Sequence, residues 1–307
     1  MISRPPPHDL TGTARRLARS RHAAAAAEHL DPRAILDPVP TADDLEGALK
    51  AADRAYLASD PTGSLQGYGM VWSWSETDGT WLHLLDVWAA PGASRSAVER
   101  DLFVRLEDDV RRRVGRGDRA ATLGANSRSR EVERRALLRD LGFAEAFAVV
   151  EMEATRDVTS AATLPDGLAV RTARPDDAAR VAALTARVWA GRDHFVAPSV
   201  DDVRGWLARA DLDLYLLAEH GPDLVGLASA TLWPLVAEID DVQVHPDWQR
   251  RGTATGLLVD LARRIRERTA SPLRLRTAAE DPAGARSLYE RLGFRVVETH
   301  HRQRKPL

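Results

Sequence analysis

The stretch Val242–Leu258, VQVHPDWQRRGTATGLL, decides how the rest of the chain is read. Its first residues close an apolar-rich run, VAEIDDVQV from Val236, that has the length and composition of a strand. After it, Leu257, Leu258, Leu261 and Ile265 recur at helical spacing, so the spacing predicts a helix from Thr253 to about Arg268. Between strand and helix lies Gln249-Arg250-Arg251-Gly252-Thr253-Ala254, a turn with small residues at its tip. Such a turn points several unpaired backbone N–H groups at one spot, and the positive end of the helix dipole adds to them. Together they suit a di-anionic pyrophosphate. Gly252 allows close backbone approach and Thr255 can donate a hydroxyl. From the residues alone, a tight turn with solvated arginines stays open.

Working outward, the same order of elements is written twice. Asp201-Asp202 begins a helical stretch, followed by DLYLLAE from Asp213, LVGLASATLW from Leu224 and the run from Val236. In the first half, Asp43-Asp44 begins a helical stretch, followed by DRAYLAS from Asp53, LQGYGMVWSW from Leu65 and WLHLLDVWAAP from Trp81. Each copy then has a long arginine-rich helix, a helix ending in Leu-Gly-Phe (Leu141–Phe143, Leu292–Phe294) and a last strand-like run. The expected fold class is α/β, an α+β sandwich around a central mixed sheet in each copy. The expected domains are residues 1–155 and 167–307, joined by a polar, alanine-rich linker. The first strand of copy one is expected to be short or missing, because Pro5–Pro7 suit a strand poorly.

The run from Val242 resembles the acetyl-CoA-binding motif of the GNAT acetyltransferase superfamily, Gln/Arg-x-x-Gly-x-Gly/Ala after a strand. The later run EDPAGARSLYERLGF (Glu280–Phe294) resembles that family's second conserved stretch, with Asp281 where asparagine is frequent. The resemblance implies a tandem GNAT protein that uses acetyl-CoA as co-substrate. It implies that the backbone of Val242, Gln243 and Val244 pairs with the pantetheine arm, which requires that strand to splay from its neighbour. It further implies that Gln249, Arg250, Arg251, Gly252, Thr253, Ala254 and Thr255 hold the pyrophosphate, with Asp281 and Arg286 contributing. Tyr289 would lie near the thioester sulfur. The layout, with its changed first copy, also resembles that of the mycothiol synthase type of tandem acetyltransferase.

Direct acyl transfer to an amine needs a base, a stabilised oxyanion and a proton for the leaving thiolate. Strict strand alternation from Val236 puts Glu238, Asp240 and Val242 on one face. Glu238 stands eleven residues before Gln249, the spacing of the base in histone-acetylating relatives, and is the expected base, with Asp240 as runner-up. A salt bridge is the other reading of these acids. Tyr289 is the expected acid, a core tyrosine the alternative. His194, Phe195 and His300 are candidate acceptor contacts. The histidines show no metal-ligand spacing, so no metal is expected.

Aligning Pro91 with Pro246 turns Gly252 into Ala97, Ala254 into Glu99 and Glu238 into His83, and aligning the two Leu-Gly-Phe runs turns Tyr289 into Leu138. Copy one therefore reads as a degenerate domain that binds no acetyl-CoA in the usual way. With 44% hydrophobic and 29% charged residues, the composition is that of a soluble globular protein. A net charge of -2 gives no pull toward nucleic acid or anionic membrane. Cysteine is absent, which excludes disulfides and thiolate chemistry. No signal-peptide core is present, and the scarcity of lysine (Lys50 and Lys305) beside abundant arginine suits a bacterial cytoplasmic enzyme. The expectation is an N-acetyltransferase, monomer or homodimer, acting on a primary amine of a small cationic metabolite, amino sugar or antibiotic. A non-catalytic acyl-CoA-binding module and a protein N-acetyltransferase are the alternatives.

Overall fold

The computed structural model describes residues 1–76, 79–114, 121–158, 164–191, 197–280 and 284–307. Copy one supplies β1 (Ile2–Ser3), α1 (Leu10–Ala27), α2 (Ala42–Ala51), β2 (Arg54–Ser59), β3 (Leu65–Ser75), β4 (Trp81–Ala89), α3 (Arg95–Val114), β5 (Ala121–Arg128), α4 (Val132–Asp140) and β6 (Ala144–Ala154). Copy two supplies β7 (Leu168–Thr172), α5 (Ala178–Val188), α6 (Val200–Arg209), β8 (Tyr215–His220), β9 (Asp223–Leu232), β10 (Ala237–Val244), α7 (Thr253–Arg266), β11 (Leu273–Ala278), α8 (Ala285–Arg291) and β12 (Phe294–Pro306). β1 is reduced to two residues before the prolines.

The repeat extends to the local devices that start and stop helices. Thr41 and Asp44 close a reciprocal capping box at α2, and Ser199 and Asp202 close the same box at α6. Each box satisfies two backbone donors that a helix N-terminus otherwise leaves open. At the other end, Gly142 after α4 and Gly293 after α8 take φ of 86° and 98°, the left-handed turn that stops a helix and that glycine adopts without strain.

The chain forms two compact units, residues 1–148 with 299–307, and residues 149–298. They differ from a simple division at the linker, because β6 and β12 each change unit part-way along. In the first unit the sheet order is β1-β2-β3-β4-β5-β12, with His300 to Pro306 antiparallel to Arg128 to Thr122. In the second it is β6-β11-β10-β9-β8-β7, with Val149 to Glu153 antiparallel to Ala278 to Arg274. The closing strand of each copy thus completes the sheet of the other unit.

Within the second unit, α7 buries Leu257, Leu258, Leu261 and Ile265 against Ala228, Ala230 and Ile239 on one sheet face. Each such side chain contributes about 1.5–3 kcal/mol. α5 and α6 bury Val181, Leu184, Val203 and Leu207 against Leu217 and Leu227 on the other. The first unit repeats the plan, with Leu102, Phe103 and Leu106 of α3 against Val71 and Leu85, and Leu17 and Leu45 of α1 and α2 against Leu57 and Met70. Among the described residues no helix is long and apolar enough to cross a membrane.

The join between β6 and β11 carries a buried ion cluster. Arg274, 1% exposed, donates from Nη1 to Glu151 at 2.6 Å and from Nε to Glu153 at 2.8 Å. Removing one partner leaves the others buried and uncompensated. Arg274→Ala is therefore expected to destabilise the second unit by about 3–5 kcal/mol, measured as a lower urea midpoint at unchanged slope.

Candidate active site

β10 and β11 run parallel, yet they pair at only three positions, Ala237 with Leu273, Glu238 with Arg274 and Ile239 with Leu275. Beyond Ile239, β10 stays on β9 and β11 stays on β6, so the two strands part. The edge of β10 from Asp240 to Val244 loses its strand partner on that side. Its backbone groups are left to an extended polar ligand, as at any open sheet edge. The resulting cleft has a volume of about 870 Å³, with Ile239–Val244 on one wall and Leu275–Ala278 on the other.

A β-bulge sets which side chains reach this cleft. The register of β10 on β9 slips between Ile239, opposite Ala230, and Asp241, opposite Ser229, leaving Asp240 as the extra residue. A one-residue slip reverses every side chain after it. The expected alternation of Glu238, Asp240 and Val242 on one face is therefore corrected. Val242 packs with Ile239 on the α7 side. Asp241 and Gln243 join Glu238 on the side covered by α5 and α6.

The three acids consequently differ. Glu238 is buried and does not line the cleft. Its Oε1 accepts from Arg276 Nη1 at 2.8 Å and its Oε2 from Trp233 Nε1 at 3.0 Å. Asp240 and Asp241 do line it. Asp240 accepts from Thr231 Oγ1 at 2.8 Å, and Asp241 accepts from Gln243 Nε2 at 2.5 Å. Burial pushes the Asp241 carboxyl up to about 6, even against the Gln243 hydrogen bond. Burial raises the Asp240 and Glu238 carboxyls as well. Asp241 is the residue that sequence reasoning passed over. Only the bulge brings it to the Glu238 side of the strand, and a bulge has no clear mark in a run such as EIDDVQV.

At the cradle, Arg250 and Gly252 both take left-handed backbone, with φ of 62° and 94°. Gly252 is the N-cap of α7. Left-handed residues on either side of Arg251 turn successive N–H groups inward, the nest geometry that holds anions. The strain of Arg250, about 1–3 kcal/mol, is held in place by its surroundings. Gln249 Nε2 donates to the Val244 carbonyl at 3.0 Å and Thr253 Oγ1 to the Trp248 carbonyl at 3.2 Å. Those two side chains brace the loop. Arg251 stacks over the Trp248 ring and does not line the cleft, while Arg250, Gly252, Ala254 and Thr255 do.

Tyr289 enters from α8, buried, with its ring edge-on to Phe294 at 6.0 Å. It lines the cleft with Gly284, Ala285, Ser287 and Leu288. Arg286 does not. Its Nε donates to Glu290 at 3.0 Å on the exposed side of α8. Asp281, His194 and Phe195 lie outside the described residues. His300, read as a strand-end contact for the acceptor, belongs to the first unit, where it is buried with Nδ1 3.0 Å from Asp37 Oδ2. The exchange of closing strands accounts for that burial.

Residues 182–294 match the model of the acetyltransferase (GNAT) family. That part of the chain is similar to the GNAT family. The matched region lies inside the second unit and contains the open wedge, the left-handed cradle and Tyr289. The whole chain is also similar in fold to solved GNAT structures. A GCN5-related N-acetyltransferase from Sphaerobacter thermophilus has TM-score 0.77 and 20% identity, over 100% of this chain and 95% of that one. A tandem GNAT protein from the clavulanic acid biosynthesis pathway has TM-score 0.69 and 16% identity, over 98% and 95%. A GNAT-family acetyltransferase from Colwellia psychrerythraea has TM-score 0.60 and 13% identity, over 100% and 99%. A search of curated protein sequences finds no match.

The first unit has the same wedge with different residues around it. β4 and β5 pair from Trp81 to Leu84 and then part, but β4 runs on β3 without a register slip. α3 begins at Arg95, so the counterpart of the cradle is already helix. Glu99 is buried inside that turn and accepts from Arg134 Nη1 at 3.0 Å. Leu138, at the place of Tyr289, is core, and His83, at the place of Glu238, is bonded to Ser73 at 2.7 Å.

Proposed function

We propose that the second unit transfers an acetyl group from acetyl-CoA directly to the primary amine of a small molecule, and that the first unit is a non-catalytic partner. The observation that carries this reading is the convergence of one open strand edge, one anion nest and one buried tyrosine on a single cleft. The amides from Arg250 to Thr255 would receive the pyrophosphate. The open edge of Val242 to Val244 would pair with the pantetheine amides, and a backbone N–H of that edge would face the oxyanion that develops at the acyl carbon.

Asp241 is the base in this scheme. A carboxyl titrating near 6 is ionised at neutral pH, yet basic enough to accept the ammonium proton. The amine nitrogen then forms its bond to the acyl carbon and the carbon–sulfur bond breaks. The departing thiolate takes the proton of Tyr289, whose phenol has an intrinsic pKa above that of a thiol, and the second proton shed by the acylated nitrogen restores the phenol. A cationic metabolite, an amino sugar and an antibiotic all carry a suitable amine, and the acids of β10 favour a cation.

The test is thiol release from acetyl-CoA in the presence of an amine. Tyr289→Phe is expected to lower kcat about a hundredfold while the calorimetric Kd for acetyl-CoA stays within about twofold of the parent. Full turnover in that variant removes Tyr289 from the mechanism.

A further inference from the structure

The proposed function leaves the acceptor open, and the α5–α6 side of the cleft narrows it. That wall is made by Thr185, Val188 and Trp189 at the end of α5, Pro198 ahead of α6, and Trp206 on α6. α6 buries Val203 and Leu207 in the core, but Trp206 is 46% exposed and turned to the cleft. With Trp189 and Pro198 it gives this wall of the cleft a contiguous apolar surface, the kind that marks a ligand-binding groove. At the inner end of this wall sit Asp240 and Asp241, with Glu238 behind them, and the Arg276 guanidinium is already engaged by Glu238. Carboxylates outnumber the cation there, so the head of the ligand is positive.

Resting on the acetyltransferase reading, we infer that the acceptor is a primary amine carried on an apolar body with an aromatic ring. The ammonium would sit at Asp240 and Asp241, and the ring would lie against Trp206, Trp189 and Pro198. An amino sugar fits this wall poorly. Its several hydroxyls need donors and acceptors, and these wall residues offer only the Thr185 hydroxyl and two indole N–H groups. A polyamine fits poorly as well, because its second ammonium would lie along indole and proline with no carboxylate among the same residues.

The experiment measures acetyl-CoA binding by calorimetry, then steady-state thiol release with phenethylamine, glucosamine and spermidine, for the parent and for Trp206→Ala. The expected result is a kcat/KM for phenethylamine at least tenfold above the other two. In Trp206→Ala, the phenethylamine KM should rise about tenfold with the acetyl-CoA Kd unchanged, which also reports an intact fold. Acetyl-CoA binding together with equal or better use of glucosamine or spermidine overturns the inference. So does acetyl-CoA binding with no use of any of the three amines, or an unchanged phenethylamine KM in the variant. These outcomes leave the coenzyme reading standing. Absence of acetyl-CoA binding in the parent overturns both.

Discussion

Replacing Ala254 by glutamate is expected to weaken acetyl-CoA binding about a thousandfold or more while leaving the fold intact. Ala254 lines the cleft in the first turn of α7, just past the left-handed Gly252. A carboxylate there would meet the pyrophosphate that the loop is proposed to hold. At 4 Å and an effective dielectric of 20, each charge pair costs about 4 kcal/mol, close to three orders of magnitude in Kd. The helix itself tolerates the change, because an acid in the first turn opposes the macrodipole favourably. The first unit already contains this substitution in natural form, with Glu99 buried at the equivalent turn and paired to Arg134. Ala254→Gln has nearly the same bulk without the charge and is expected to lose far less. Calorimetry on the two variants separates repulsion from crowding.

Asp241→Asn is expected to lower kcat by about 10²–10⁴ and to remove the acid limb of the pH–rate profile. In the parent, kcat/KM should rise with pH through about 6 and then level, following the Asp241 carboxyl. The same substitution should raise stability. The folded-state pKa lies above that of the unfolded chain, so the native state holds this proton more tightly. The cost of ionising Asp241 in the fold is absent below the unfolded value near 3.9, grows with rising pH, and is complete above about 6. Asparagine avoids it, so the variant should gain about 2–3 kcal/mol at neutral pH and nothing near pH 3. Glu238→Gln should have a smaller effect on kcat, since Glu238 does not line the cleft. Denaturant titrations at pH 3 and pH 7, beside the rate profile, distinguish a base from a merely structural acid.

Much of the fold is legible because its signals are local. The capping residues Thr41 and Asp44 recur as Ser199 and Asp202, the helix-stopping Gly142 recurs as Gly293, and the leucines of α7 repeat at helical spacing. The cradle is legible for the same reason, since a strand end, a glycine and a helix start lie within a few residues. What is not legible is set by distant pairing. The slip at Asp240 depends on how β10 meets Ala230 and Ser229 of β9, and it puts Asp241 on the same side of the strand as Glu238. The fate of His300 depends on β12 leaving one unit to pair with β5 of the other, which no window of sequence around His300 reveals. Trp206 looks like any core residue of an amphipathic helix until Val203 and Leu207 are seen to fill the core beside it.

A coenzyme site in the second unit and none in the first requires a single acetyl-CoA per chain. The most direct test is calorimetric titration of the intact chain with acetyl-CoA, read for stoichiometry. The prediction is one site per chain, lost in Ala254→Glu. Two sites per chain would contradict the reading of Glu99 as a plug, and no binding would contradict the cradle itself.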